Sequence, residues 1–419
     1  MTQLVQSANR YHYVDALRAF ALLLGVVFHA SLSFVPVFIG WAVMDVSTSA
    51  VVSAFTLVSH SFRMALFFLI AGFLSHLTLH SKGVVEFVRS RLLRIAVPFV
   101  VGWFVLRPLL VSGWLMGAES MRGETHVWPA IANGFSTLLA FPNSFLVGSH
   151  LWFLYYLLIV TVLLVAVRQL LSFMPHYYQR SVSAADLTMR WLCRSCLATP
   201  LLACCTASCL WFMAHWGMDT PDRSLLPHLP VSLIYGGFFI FGWLLHRQPT
   251  LIAEFGQLTW RKLLLVCCAI IVCCYFSQFE QQVGDTSYEW LKLTFVIGYG
   301  VMMWSLVALS IAIFKRCCQR PNAIVRYLAD ASYWLYLSHL PVVVWLQVAV
   351  ADLALHWSIK LLLVSATTVT ICLLLYDLAV RSTAIGQLLN GRRQARVLTW
   401  PKHPTAVQAF AQPQRKPNE

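Results

Sequence analysis

The stretch Tyr11-His-Tyr13-Val-Asp15-Ala-Leu-Arg18-Ala-Phe-Ala-Leu-Leu-Leu-Gly-Val-Val-Phe-His29-Ala-Ser-Leu-Ser-Phe-Val-Pro-Val-Phe38 decides what kind of chain this is. Past Arg18 it holds one ionisable residue, His29, in a run about as long as the roughly 20 residues that cross a bilayer. Tyr11 to Tyr13 offer neither the short apolar core nor the small-residue cleavage site of a secretory leader, so the run reads as a retained span. Similar runs recur at roughly 56–79, 95–117, 150–172, 197–216, 229–246, 263–279, 292–314, 328–350 and 357–380. With 14–38 they predict an all-α, polytopic membrane protein of about ten transmembrane helices.

Composition points the same way. Of 419 residues, 59% are hydrophobic, 14% aromatic and 11% charged, and mean hydropathy is +0.71. Soluble domains are about half apolar and a quarter charged. A soluble enzyme, a disordered chain, a collagen and a secreted disulfide scaffold are excluded. The net charge of +14 does not imply nucleic acid, because membrane proteins hold Lys and Arg on their cytoplasmic side. All Lys and Arg except Arg63, Arg107, Arg122, Arg223, Lys292 and Lys360 fall in 1–18, 80–94, 168–194, 247–262, 315–326 and 381–419. That alternation predicts cytoplasmic N- and C-termini and an even number of spans. One transmembrane domain over 11–391 is expected, followed by a basic, Pro-containing, disordered cytoplasmic tail over 392–419. Most of the 12 cysteines sit in apolar runs, where Cys acts as a small hydrophobe. Cys193-x-x-Cys196 lacks a second pair, so no metal site is expected.

Ionisable groups at membrane depth are costly and point to function. Arg18 and His29 are eleven residues apart, which is three helical turns plus about 20°, so they share a face about 16 Å apart. Arg18 falls at the cytoplasmic boundary and His29 near mid-depth. Asp15, one turn before Arg18, can orient it but is too far along the helix to touch His29. His60 and Arg63 form an i, i+3 pair, with Arg63 about two turns in from the outer surface. Arg91 and Arg94, one turn apart, suit phosphate oxygens, although spacing alone favours a positive-inside anchor. His150 is expected at the outer surface. Tyr336 and His339 lie on a late span, with Pro341 placed to kink it.

These residues outline an outward-facing polar cavity, with His29 and His339 near mid-depth, Arg63 outward of them, and His60 and His150 at the rim. Taken alone, Arg18 also reads as a snorkelling anchor and His29 as a satisfied core histidine. The loop 118–149, with Trp128, Pro129, Asn133 and Pro142, is either a lid or a connector. A buried His can act as base, nucleophile, relay or ligand. A basic cytoplasmic cluster plus an outward cavity suits group transfer from a cytoplasmic thioester, with His29 activating a hydroxyl. No Gly-x-Ser-x-Gly elbow, Walker loop or dinucleotide loop is present.

Several of these motifs together carry a resemblance. Asp15-Ala-Leu-Arg18 with His29 eleven residues on resembles the Arg-x10-His signature of the acyltransferase family 3 membrane O-acyltransferases. Phe62-Arg63-Met64 through Ala71-Gly72-Phe73 is similar to the family's second-span motif, with Ala71 where relatives often carry Ser. Arg91-Leu-Leu-Arg94-Ile-Ala-Val-Pro98, His150-Leu-Trp152-Phe153 and Tyr336-Leu-Ser-His339-Leu-Pro341 resemble its later motifs, and Tyr376-Asp377 with Arg381 resembles its closing acid and base. The likeness runs from residue 11 to about 391, and is strongest to the branch implicated in succinylating osmoregulated periplasmic glucans.

The resemblance implies a multi-pass bacterial inner-membrane enzyme. It would use cytoplasmic acyl-CoA (succinyl-CoA or acetyl-CoA) as donor substrate, with no bound cofactor, and a periplasmic glycan hydroxyl as acceptor. His29 is implied as the base, Arg63 and His150 as further catalytic residues, and Arg18 as a donor-binding residue; Arg91 and Arg94 are candidates to join it. Asp15, His60, Tyr336 and His339 are candidate cavity-lining residues. The alternative from another class is a secondary transporter using His and Arg as a substrate or proton relay; no pair of matching halves with broken spans stands out. A non-enzymatic scaffold would leave Arg18, His29, Arg63 and His339 unexplained.

Overall fold

The computed structural model describes residues 11–139 and 149–398. Among the described residues the only regular structure is helical. The elements are α1 His12–Ser31, α2 Ala50–Arg91, α3 Val97–Ser120, α4 Val127–Ser136, α5 Trp152–Ser172, α6 Pro175–Arg194, α7 Ala198–Leu210, α8 Leu229–Arg247, α9 Leu251–Phe255, α10 Trp260–Phe276, α11 Tyr288–Cys317, α12 Ala323–Val350, α13 Trp357–Leu375 and α14 Ala384–Asn390. Caps set several starts. Ser49 Oγ accepts from Val51 N at α2, Thr259 from Lys262 N at α10, and Asn322 from Ile324 N and Val325 N at α12, each satisfying a first-turn donor.

Among the described residues, eight helices are long and apolar enough to cross a membrane, or up to nine if the bent pair α6–α7 counts as one span. One of the eight is a continuous run over Ala50–Ser120 that contains two expected spans. Side-chain partners show its reversal. Phe28 stacks on His60, Gly25 meets Arg63 and Tyr11 meets Phe73, so α1 and α2 are antiparallel. Arg18 reaches Ala329 while the α1 end reaches Gln347, so α1 and α12 are parallel. Tyr333 donates to Arg94 O, and Gly113 faces Val344, so α3 is parallel to α12 as well. Hence α2 and α3 run oppositely. The chain turns at Gly83 (φ 77°, ψ 173°), a backbone state that glycine adopts without penalty. A π-helical turn over Leu92–Ala96 then re-aims it.

The expected span 197–216 is only partly helical. At 13 residues, α7 is about 20 Å long. It stops because the Asp219 carboxylate accepts from Ala214 N and His215 N, while Glu280 accepts from Trp216 N. These bonds hold 214–216 in a turn. At the opposite end of α7 the chain bends by 109° into α6. That largely exposed helix is clamped by the Arg247–Asp186 fork at 3.0 Å. Nearby, the Arg194 fork holds the Glu254 carboxyl below its usual range.

At the crossing of α2 and α8 the backbones touch. A Cβ on Gly72 would overlap the Phe239 carbonyl, and one on Gly242 would overlap that of Leu69. Small residues are what permit such an approach between apolar helices. Both described ends of the chain lie at one end of the bundle, the end of Arg18. Part of the segment expected to be a disordered tail is docked there. Gln394 donates to Asp330, and Asp377 accepts from Val397 N and Leu398 N. The buried Asp377 carboxylate needs those donors, which explains why the segment stays down through Leu398. Residues 399–419 lie outside the described residues. All twelve cysteines are free thiols.

Candidate active site

The site is built from α1, α2, α12 and the start of α5. His29, on the last turn of α1, has its ring 5.3 Å from that of His339 on α12. His339 is 6.4 Å from His150, and Tyr336 lies 6.5 Å from His339. His339 Nδ1 sits 2.9 Å from the carbonyls of Leu335 and Tyr336. A carbonyl can only accept, so this nitrogen carries the proton and Nε2 keeps the lone pair. By the same reasoning His150 Nε2 donates to Leu337 O at 3.0 Å. Its Nδ1 is buried without a partner, as is His29 Nδ1. His29, His339 and His150 thus form a chain of neighbouring imidazoles.

Arg63 stands beside them. Its guanidinium lies 4.2 Å over the Phe28 ring, and Nη1 donates to Gly25 O at 3.5 Å. Gly25 leaves room, since even a Cβ there would lie 3.5 Å from Nη1. Arg63 is 5% exposed, and among the described residues no carboxylate pairs with it. A buried cation without a counter-charge is costly; an incoming anion or oxyanion would relieve that cost. His60 stacks on Phe28 and contacts Thr220 Oγ1 through Nε2 at 3.2 Å.

Two expected depths are corrected. Arg63 is not outward of His29: it lies level with Gly25, one turn nearer the Arg18 end. The cause is that α2 begins at Ala50, six residues before the expected start, which places Arg63 about 20 Å along the helix. His150 is not at a rim. It is 8% exposed and level with Leu337. The entry to α5 is a buried 3-10 turn, Ser149–Leu151, with Ser149 at φ 48° and its N–H on Asp222 O, so the chain enters the bundle before the helix starts.

The remaining expected residues lie toward the other end. Arg18 donates through Nη2 to Ala329 O at 3.2 Å and Ser332 Oγ at 3.1 Å, and Nη1 is 3.8 Å from Asp15. Tyr333, next on α12, donates to Arg94 O. Thus Arg18 and Arg94 flank the same turn. The Arg94 guanidinium is turned against Gly391, and Arg91 is stacked on Phe87 at 4.9 Å. Tyr336 donates to His150 O at 2.9 Å, which fixes the 3-10 turn.

Sequence reasoning missed the outer cover. Trp41 stacks on His29 at 5.8 Å, and its Nε1 donates to Gln347 Oε1 at 2.9 Å. Gln347, 1% exposed, donates in turn to the carbonyls of His29 and Ala30. The loop bearing Trp41 is anchored by Asp45, paired with Lys360 at 2.8 Å in full burial. A Gln at membrane depth on the His339 helix was the signal available for Gln347. Of the expected lid, α4 packs along α3, with Gly134 against Pro108; Pro142 lies outside the described residues. Arg107 faces α4 as well, donating to Thr137 at 3.3 Å.

With that geometry in place, the family comparison is decisive. An acyltransferase domain family model matches residues 11–377. The chain belongs to acyltransferase family 3. All the site residues above lie within the matched region. Among curated relatives, the chain is 24% identical over 389 residues to glucans biosynthesis protein C of Salmonella paratyphi A, covering 92% of this chain and 96% of that protein. The same values hold for that of Salmonella agona. The protein of that name in Shigella dysenteriae serotype 1 is 30% identical over 160 residues, 38% of this chain and 39% of the relative. No solved structure matches.

Proposed function

We propose that this acyltransferase works in the bacterial inner membrane with both termini cytoplasmic, moving a succinyl or acetyl group from cytoplasmic acyl-CoA to a hydroxyl of a periplasmic glycan. The acceptor favoured by the full-length likeness to glucans biosynthesis protein C is osmoregulated periplasmic glucan. The observation that carries the mechanism is the buried, acid-free Arg63 one turn from His29, whose Nδ1 is buried without a hydrogen-bond partner.

His29 takes the proton from the acceptor hydroxyl while that oxygen attacks the thioester carbonyl. Arg63 holds the negative charge that develops on the carbonyl oxygen. As the carbon–sulfur bond breaks, the proton passes from His29 to the leaving thiolate. His150 and His339, each bonded to backbone carbonyls, keep the surroundings of His29 polar. Arg18 holds the donor's arm at the other end of the α1–α12 seam, with Arg94 flanking the same turn of α12. Its distance from His29, about 16 Å of helical rise, is bridged by the donor's extended arm.

The test is mass spectrometry of cell-envelope glycans from cells with the wild type, with His29→Ala and with neither. The wild type adds a mass increment whose size identifies the acyl group. His29→Ala, inserted normally, loses about 100-fold or more of that transfer, the scale of a removed general base. Undiminished transfer in His29→Ala defeats the mechanism, and no increment on any glycan defeats the acceptor assignment.

A further inference from the structure

A second concavity opens at the Arg18 end, between the start of α1, the end of α11 and the start of α12. It has a volume of about 800 Å³, and its lining includes His12, Asp15, Arg316, Arg320 and Arg326. Arg316, Arg320 and Arg326 are exposed, and among the described residues none of the three guanidinium groups makes a hydrogen bond or ion pair. Asp15, the one carboxylate in the lining, lies 3.8 Å from Arg18. The cleft therefore gathers three uncommitted guanidinium forks, the side chain best shaped for phosphate oxygens. The Arg94 guanidinium is set against Gly391 and that of Arg91 lies over Phe87 with its Nε buried, and neither lines this cleft.

Position adds to charge. Arg326 is one turn before Ala329, whose carbonyl holds Arg18, and Arg18 shares a helix face with His29. Cleft, Arg18 and His29 thus follow one seam between α1 and α12. From Arg326 to His339 the rise is about 20 Å. We infer that this cleft seats the phosphate-bearing nucleotide end of the acyl donor, its thioester arm running past Arg18 to His29. The inference rests on the acyl-CoA reading above and assigns the phosphates to residues outside the Arg91–Arg94 pair.

The test is calorimetric binding of coenzyme A and of pantetheine, which lacks the phosphates, to the full chain in phosphatidylcholine nanodiscs. Coenzyme A is expected to bind the wild type about tenfold or more tighter than pantetheine, as charge-assisted phosphate contacts imply. The combined variant Arg316→Gln, Arg320→Gln, Arg326→Gln erases that difference. Arg180→Gln, an exposed arginine on α6 outside the cleft, leaves it within about twofold, since isolated surface charges contribute little. Equal coenzyme A binding by wild type and combined variant overturns the cleft assignment and leaves the donor reading intact. A wild type that binds neither probe removes the donor reading and this inference together. Loss of the wild-type preference in phosphatidylglycerol nanodiscs would give the cleft to lipid headgroups instead, also overturning the inference. Each single variant is run alongside, with monodispersity confirming the fold.

Discussion

Two buried cations in this protein illustrate opposite uses of charge. Lys360 is fully buried and completely satisfied, by both oxygens of Asp45 and by Ala351 O. It closes the loop that carries Trp41. Arg63 is buried too but has one long backbone contact and an aromatic face. The first is architecture, and the second is the group proposed above to meet a charge that arrives with substrate. The consequence for Lys360 is measurable. Lys360→Ala strands the Asp45 carboxylate and is expected to destabilise the protein by about 3–5 kcal/mol. Pairing Lys360→Met with Asp45→Leu removes both charges and recovers most of that loss. Thermal denaturation in detergent reads both, and a single variant as stable as the wild type would show that the pair contributes nothing.

At the scale of elements, the α2–α8 contact is the least forgiving. Gly242→Leu forces a side chain into the Leu69 carbonyl, so the yield of monodisperse protein on size exclusion is expected to collapse; wild-type yield would show that the helices separate freely. The same scale shows what a sequence can and cannot reveal. The Arg18–His29 relation was legible because one helix fixes it by its own pitch. Most helices were legible because length and hydropathy define them. The depth of Arg63 was not, since it depends on where α2 begins, and that is set by Ser49 capping ahead of the strongly apolar run. The depth of His150 was hidden by a short 3-10 entry that hydropathy does not register. Gln347 meeting Trp41, and Lys360 meeting Asp45, join residues about 300 positions apart, and no local pattern encodes such pairs.

For the whole molecule, the alternation of helices gathers Arg18, Arg94, Arg247, Arg316 and Arg326 at one end. The orientation proposed above, which the positive-inside rule favours, puts that end in the cytoplasm. Alkaline phosphatase fused after Gly123 is expected to be active in the periplasm, and fused after Gln319 to be inactive. The reverse pattern would invert the molecule and put the arginine cleft on the wrong side for a cytoplasmic donor. One feature of the far end matters when no acceptor is present. Trp41 rests on His29 and is tied down through Gln347. Under the mechanism proposed above, a thioester waiting beside an uncovered base would be spent on water, and this indole would guard against that hydrolysis. Trp41→Ala should raise the ratio of free acid released to glycan acylated by about tenfold, a scale set by losing one ring's packing and water exclusion. An unchanged ratio would mean that water is kept out by something else. The tenfold rise, by contrast, would mean that the stability of a high-energy donor in an idle enzyme rests on a single aromatic ring, held by one amide.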